Sequence, residues 1–206
     1  MTKIKICGIT NKLDAVNAAT LRVDMLGFVF YKKSKRYVEP KTAEDIIDEL
    51  PPGIMKVGVF VDEEREKVLK IAEDVFLDAM QFHGTETPEY CAYFKDKYKV
   101  IKAFRLKDKE DLADINDYDV DYYLLDTYKP DTLGGTGVTF DWKILKDFEF
   151  LRPVILSGGL TPDNVGRAIR EVVPFGVDVS SGVEAEPGKK DLNLMKKFVE
   201  YVRKLD

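Results

Sequence analysis

Short runs of apolar and β-prone residues recur along this chain, each followed by a charged, amphipathic stretch. The runs predict strands near residues 3–7, 24–30, 55–61, 79–83, 100–105, 122–126, 153–157 and 176–180. The stretches between them predict helices near 12–20, 41–49, 63–74, 87–97, 108–116, 140–147, 162–172 and 191–204. Thr161-Pro162-Asp163 offers an N-cap residue followed by proline at the first helical position, and Glu86-Thr87-Pro88-Glu89 reads the same way. Eight strand–helix pairs imply a parallel sheet with helical crossovers. At about 26 residues per pair, this is the size of a compact α/β chain folded as a single (β/α)₈ barrel, the TIM-barrel architecture. The alternative, an open doubly wound sheet, would carry a G-x-G-x-x-G loop after an early strand. The first strand instead ends in Cys7-Gly8-Ile9-Thr10. No linker or low-complexity tract divides the chain, so residues 1–206 are expected to form one domain.

A barrel of this kind builds its site at the C-terminal ends of its strands, and period-two alternation selects which side chains face inward. Ile4 and Ile6 share one face of the first strand and suit packing against helices, which turns Lys5 and Cys7 toward the interior. Gln81 and His83 share a face of the fourth strand. Asp126 aligns with Leu124 and Tyr122 on the sixth. A free cysteine is commonly a small buried hydrophobe, but Cys7 stands at a strand end beside a polar turn. Cys91, by contrast, falls mid-helix among aromatic residues and reads as core.

The last two units carry a paired signal. Ser157-Gly158-Gly159 follows the seventh strand and Ser180-Ser181-Gly182 the eighth. Loops at these two positions form the usual phosphate site of the fold, and glycine lets backbone N–H groups approach an anion closely. Gly134-Gly135-Thr136-Gly137 reads equally as a loop over the site or as a plain connection. Lys32, Lys33 and Lys35 read as a solvated charged loop. Arg36, beside Tyr37, is suited to holding a carboxylate or phosphate through its planar fork.

Composition then removes several classes of function. Apolar residues make up 45% and charged residues 33% of the chain, an ordinary globular balance. A net charge of −5 gives no electrostatic case for nucleic acid or an anionic membrane. No run approaches the ~20 apolar residues of a membrane span, and the N-terminus enters a strand without a signal-like apolar core, so a cytoplasmic location is expected. Two cysteines and one histidine supply neither a disulfide framework nor a multi-histidine metal site.

Lys5-Ile6-Cys7-Gly8-Ile9-Thr10 closely resembles the N-terminal signature of the phosphoribosylanthranilate isomerases of tryptophan biosynthesis. The resemblance extends through Gly27-Phe28-Val29-Phe30-Tyr31, Ser34-Lys35-Arg36-Tyr37, Gln81-Phe82-His83-Gly84 and Leu124-Leu125-Asp126-Thr127. It continues through the segment from Gly134 to Trp142, Leu156-Ser157-Gly158-Gly159-Leu160, the stretch from Val177 to Glu184, and Pro187-Gly188-Lys189-Lys190-Asp191. Phe82 stands where the family more often has leucine. The resemblance implies an Amadori rearrangement without cofactor or metal, with Cys7 as general base and Asp126 as general acid. It further implies Arg36 on the anthranilate carboxylate, Asp178 in a supporting polar contact and His83 in the pocket lining. Gly158, Gly159, Ser180, Ser181 and Gly182 would hold the phosphate.

Ordinary pKa values suit these roles poorly. A thiol near ~8.5 is mostly protonated and an aspartate near ~3.9 mostly ionised at neutral pH, so each role needs help from its surroundings. The only partner expected is the small-molecule substrate, with the chain a monomer or homodimer. Two other readings compete. A related phosphosugar aldose–ketose isomerase, such as the histidine-pathway enzyme, has aspartate where this chain has Cys7. A phosphoribosyl-ligand-binding barrel without catalysis would show a lost acid or base, and both residues are present.

Overall fold

All eight predicted runs fold as parallel strands: β1 Lys3–Cys7, β2 Met25–Val29, β3 Met55–Phe60, β4 Ala79–Phe82, β5 Lys99–Leu106, β6 Tyr122–Thr127, β7 Val154–Leu156 and β8 Gly176–Val179. They pair in chain order, and β8 closes on β1 with Lys5 opposite Asp178, giving a closed eight-stranded barrel. The computed structural model describes residues 1–127 and 141–205. The Gly134–Gly137 loop, 134–137, therefore lies outside the described residues.

Two apolar layers follow from the alternation. Ile4 and Ile6 face outward into the large shell between sheet and helices. Inside the barrel, Met25, Val57, Ala79, Ile101, Ala103, Leu124 and Ile155 form a smaller plug. The plug fills the N-terminal part of the barrel, and the interior above it is polar.

Helices α1 (Lys12–Thr20), α2 (Pro40–Ile47), α3 (Arg65–Asp74), α4 (Pro88–Ala92), α5 (Val165–Val172) and α6 (Leu192–Arg203) cover the sheet. None of the described helices is long and apolar enough to cross a membrane. Three helical expectations are only partly met. The segment 87–97 keeps one α-turn and then tightens, with Phe94 N donating to Cys91 O and Lys95 N to Ala92 O. The segment 108–116 becomes two 3₁₀ turns, Lys109–Leu112 and Ile115–Asp117, the first opened by a capping box in which Asp111 accepts from Lys107 N and Asp108 N at 2.6 and 3.1 Å. The described part of 140–147 is likewise a 3₁₀ turn, Trp142–Leu145.

The bottom of the barrel is tied by a repeated device. Asp24, Asp78 and Asp121, each just before an even-numbered strand, accept from the first strand residues of the preceding unit: Ile4 N at 2.9 Å, Lys56 N at 2.8 Å and Val100 N at 2.9 Å. Each also pairs with a lysine there, Lys3, Lys56 or Lys99. A two-stranded ribbon that the strand pattern did not predict, β9 (Glu184–Glu186) and β10 (Lys189–Lys190), follows β8 and turns at Pro187-Gly188. Asp191 then caps α6, accepting from Leu194 N at 2.9 Å. Asp191→Ala is expected to cost ~1 kcal/mol, lowering the urea midpoint with the slope of the transition unchanged.

Candidate active site

The polar mouth of the barrel is a cavity of about 790 Å³, counting its opening to solvent. Nine of the residues singled out in the sequence line it: Cys7, Arg36, His83, Asp126, Gly158, Gly159, Asp178, Ser180 and Ser181. Gly182 does not. Its α-carbon packs against the Leu160 carbonyl so closely that a β-carbon there would overlap it, so this glycine brings the β7 and β8 loops together from behind.

On one wall, Asp126 is buried at the end of β6. Its Oδ1 accepts from Thr127 N at 2.8 Å, and its Oδ2 lies 3.2 Å from His83 Nε2. The other nitrogen of His83, Nδ1, is 3.0 Å from Gln81 Nε2. His83 thus spends both ring nitrogens on protein partners, and the histidine expected to line the pocket is tied to the acid. Gln81 Oε1 is buried with no hydrogen-bond partner.

The opposite wall is built on β1. Cys7 is buried beneath the cavity floor line, and Lys5, two residues earlier on the same inward face, is fully buried. Lys5 Nζ donates to Asp178 Oδ1 at 3.0 Å, and Ser157 Oγ donates to Asp178 Oδ2 at 3.1 Å. Asp178, expected to support the substrate, has both oxygens engaged by the protein. Burial pushes the Cys7 thiol up, and Asp178 adds to this, while the Lys5 and Lys190 cations pull it down by less. Burial opposes the charge of Lys5, but Asp178 and Cys7 outweigh it and hold the ammonium above its ordinary range.

Above Cys7, the loop after β2 brings in Arg36. Its Nε and Nη2 donate to the two oxygens of Glu184 at 2.8 and 2.6 Å, a bidentate pair with little exposure. Glu184 also accepts from Lys190 Nζ at 2.9 Å, and Lys190 donates to Cys7 O at 2.6 Å and Ser180 O at 3.2 Å. Burial raises Glu184, yet Arg36 and Lys190 hold it below the usual carboxylate range. Burial pulls Lys190 down despite Glu184. The guanidinium keeps Nη1 for a ligand, since Nε and Nη2 are taken.

The third wall is the pair of loops. Gly158 and Gly159 adopt φ of +84° and +65°, turning the backbone toward the cavity. Among the described residues Ser180 Oγ is buried without a partner, a hydroxyl available to an anion between the loops.

A thiol and a carboxyl line one cavity with glycine–serine loops beside them, a set that joins candidate proton-transfer groups to backbone anion donors. The sequence agrees with it throughout. Residues 4–201 match the family model described as N-(5'phosphoribosyl)anthranilate (PRA) isomerase.

The chain belongs to the phosphoribosylanthranilate isomerase family.

Among its relatives, the N-(5'-phosphoribosyl)anthranilate isomerase of Geobacter sp. (strain M21) is 48% identical over 205 residues, covering 100% of both chains. The crystal structure of phosphoribosyl anthranilate isomerase from Thermotoga maritima superposes with a TM-score of 0.92 at 45% identity, over 99% of this chain and 100% of that one. A phosphoribosyl anthranilate isomerase in complex with reduced 1-(o-carboxyphenylamino)-1-deoxyribulose 5-phosphate gives a TM-score of 0.86 at 42% identity, covering 99% of this chain and 100% of that one.

In this phosphoribosylanthranilate isomerase-family barrel, the polar residues at the site that the sequence did not assign a role include Lys5, Gln81, Glu184 and Lys190. Alternation placed Lys5 and Gln81 inward, but nothing local marked them as partners of other groups. The signal for Lys5 was topological: in a closed barrel the first and last strands are neighbours, so an inward lysine on β1 meets an inward aspartate on β8.

Proposed function

We propose that this chain converts N-(5'-phosphoribosyl)anthranilate to 1-(o-carboxyphenylamino)-1-deoxyribulose 5-phosphate in tryptophan biosynthesis, by general acid–base catalysis. The supporting observation is the placement of one buried thiol and one buried carboxyl on opposite walls of a single cavity, with the paired loops beside them. Asp126 donates its proton to the furanose ring oxygen as the C1′–O bond breaks, and the anilino nitrogen supplies the electron pair, giving an open-chain Schiff base. The Cys7 thiolate then removes the proton from C2′, and the electrons of that C–H bond form the enolamine, which tautomerises to the ketone. The N–H groups of the β7 and β8 loops and Ser180 Oγ hold the phosphate. Arg36 Nη1 takes the anthranilate carboxylate, with Glu184 fixing the guanidinium plane.

Gln81, His83 and Asp126 can serve both protonation states of the acid. With Gln81 donating to Nδ1, His83 donates through Nε2–H to an ionised Asp126. Turning the Gln81 amide over brings its unpartnered oxygen to Nδ1, places the histidine proton there, and leaves Nε2 to accept from protonated Asp126. Either arrangement keeps both ring nitrogens of His83 and the Asp126 carboxyl hydrogen-bonded, so the acid can release and recover its proton without losing its partner.

Cys7, Arg36, His83, Asp126 and the two loops all come from one copy of the chain, so activity is expected of a monomer and a homodimer alike. The substrate carries several negative charges and does not cross membranes unaided, which supports a cytoplasmic reaction. The test is turnover of phosphoribosylanthranilate generated in situ, followed by its anthranilate fluorescence, with chelator present and no cofactor added. A first-order loss of fluorescence proportional to protein concentration is expected. A folded protein that binds inorganic phosphate yet leaves the fluorescence unchanged would establish a binding barrel in place of an enzyme.

A further inference from the structure

The network under Cys7 is larger than a core lysine needs. Lys5 Nζ donates to Asp178 at 3.0 Å and lies beside the Cys7 sulfur, whose thiolate its charge favours. Both Lys5 and Cys7 press on the same point of β2: a β-carbon on Gly27 would lie 2.7 Å from Cys7 Sγ and 3.1 Å from Lys5 Nζ. Gly27 is therefore the gap into which sulfur and ammonium both fit. Asp178 is in turn fixed by Ser157, so the ammonium is aimed from below while the face of Cys7 toward the cavity stays clear. The remaining charged groups around the sulfur are Lys190 and Arg36 from above and Asp126 with His83 from across the cavity. Lys190 meets the Cys7 carbonyl and Arg36 is paired with Glu184, which leaves Lys5 as the cation directed at the sulfur itself.

We propose that Lys5, anchored by Asp178, is a positioning residue that favours the thiolate form of Cys7 and keeps its sulfur facing the cavity. The inference rests on the reading of Cys7 as the base. Lys5 touches no substrate. It favours the thiolate before proton abstraction, and once the sulfur has taken the C2′ proton, Lys5 keeps Asp178 as its partner, so neither protonation state of Cys7 leaves the ammonium unpaired. A neutral side chain at position 5 would leave burial and Asp178 to act on the thiol with less opposition.

The experiment measures alkylation of Cys7 by iodoacetamide against pH, without substrate, in a Cys91→Ala background. Cys91 is buried in α4 with its thiol pushed up to about 12, so its removal leaves one reporter. Lys5→Gln is expected to move the alkylation midpoint up by about one pH unit or more, slowing the reaction at pH 7.5 at least ~10-fold. In turnover, kcat should fall while KM holds, because the phosphate and carboxylate contacts are untouched. If Lys5→Gln does not fold, with the Asp178 carboxylate left buried, Lys5→Gln/Asp178→Asn removes both charges. Because the pull of Lys5 on the thiol exceeds the push of Asp178, its midpoint should still rise, by less. An alkylation profile that overlays the wild type in a folded variant overturns the proposal. Turnover by Cys7→Ala, measured alongside, separately tests the base: full activity there would remove that role while the alkylation shift still reported the coupling of Lys5 to the sulfur.

Discussion

Cys7→Ala and Asp126→Asn are each expected to lower kcat by ~10²–10⁴, the range a positioned acid or base contributes, with much smaller changes in KM. Both residues are buried and line the cavity. Alanine removes only the sulfur, and asparagine keeps the shape and the acceptor for Thr127 N–H while losing the transferable proton. The groups that hold phosphate and carboxylate remain in place, so the loss should fall on the chemical steps. The two variants should also differ in their pH dependence. Because burial pushes the Cys7 thiol up, wild-type kcat/KM should rise with pH through neutrality into the alkaline range as the thiolate fraction grows. Asp126→Asn should keep that rise at a lower level, since its base is intact. Cys7→Ala should lose it. Fluorescence-monitored progress curves from pH 6 to 10 separate the cases, and a Cys7→Ala enzyme that retains both rate and slope would place the base elsewhere.

Much of this site was legible because barrels convert sequence position into spatial position by simple rules. Strand ends mark the mouth, and period two marks the inward face. Together they placed Cys7, His83 and Asp126 around one cavity, and the Ser-Gly-Gly and Ser-Ser-Gly loops beside them. What stayed illegible was pairing. Arg36 and Glu184 are 148 residues apart and Lys190 and Cys7 are 183 apart, and nothing in their local sequence states a partner. Lys189 and Lys190 look alike as neighbours in a Pro-Gly turn, yet one is exposed and the other buried, because alternation along β10 turns only Lys190 toward Glu184. The helical expectations for 108–116 and the described part of 140–147 shrank to short 3₁₀ turns, a difference of winding and length that hydrophobic pattern does not register. Asp178 and His83 both line the cavity, and the partners that hold them there, Lys5 and Ser157 for the one and Gln81 and Asp126 for the other, were equally invisible locally.

Gly158→Ala is expected to reduce kcat/KM by ~10² or more, through damage to two walls at once. Gly158 has φ of +84°, so any L-residue there is strained by ~1–2 kcal/mol. The larger effect is steric. A β-carbon at 158 would overlap Thr127 N and Oγ1 and lie 2.7 Å from Asp126 Oδ1. The first of these is backbone and also the donor that fixes Asp126, so relief requires moving the β7 loop, the end of β6, or both. One movement withdraws N–H groups from the phosphate and raises KM. The other misplaces the acid and lowers kcat, and displacement of a catalytic group by ~1 Å can cost ~10²-fold. Gly53→Ala supplies the control. Gly53 has φ of +94° but nothing within 4 Å of its would-be β-carbon, so it carries the conformational strain alone and should lose ~1–2 kcal/mol of stability with kcat/KM unchanged. If the two variants lose similar stability and both keep wild-type kcat/KM, the close approach of the β7 loop to Asp126 does not set the geometry of the acid or of the phosphate. If only Gly158→Ala loses activity, one α-carbon fixes both walls, and substitutions that loosen the phosphate loop should impair proton transfer as well.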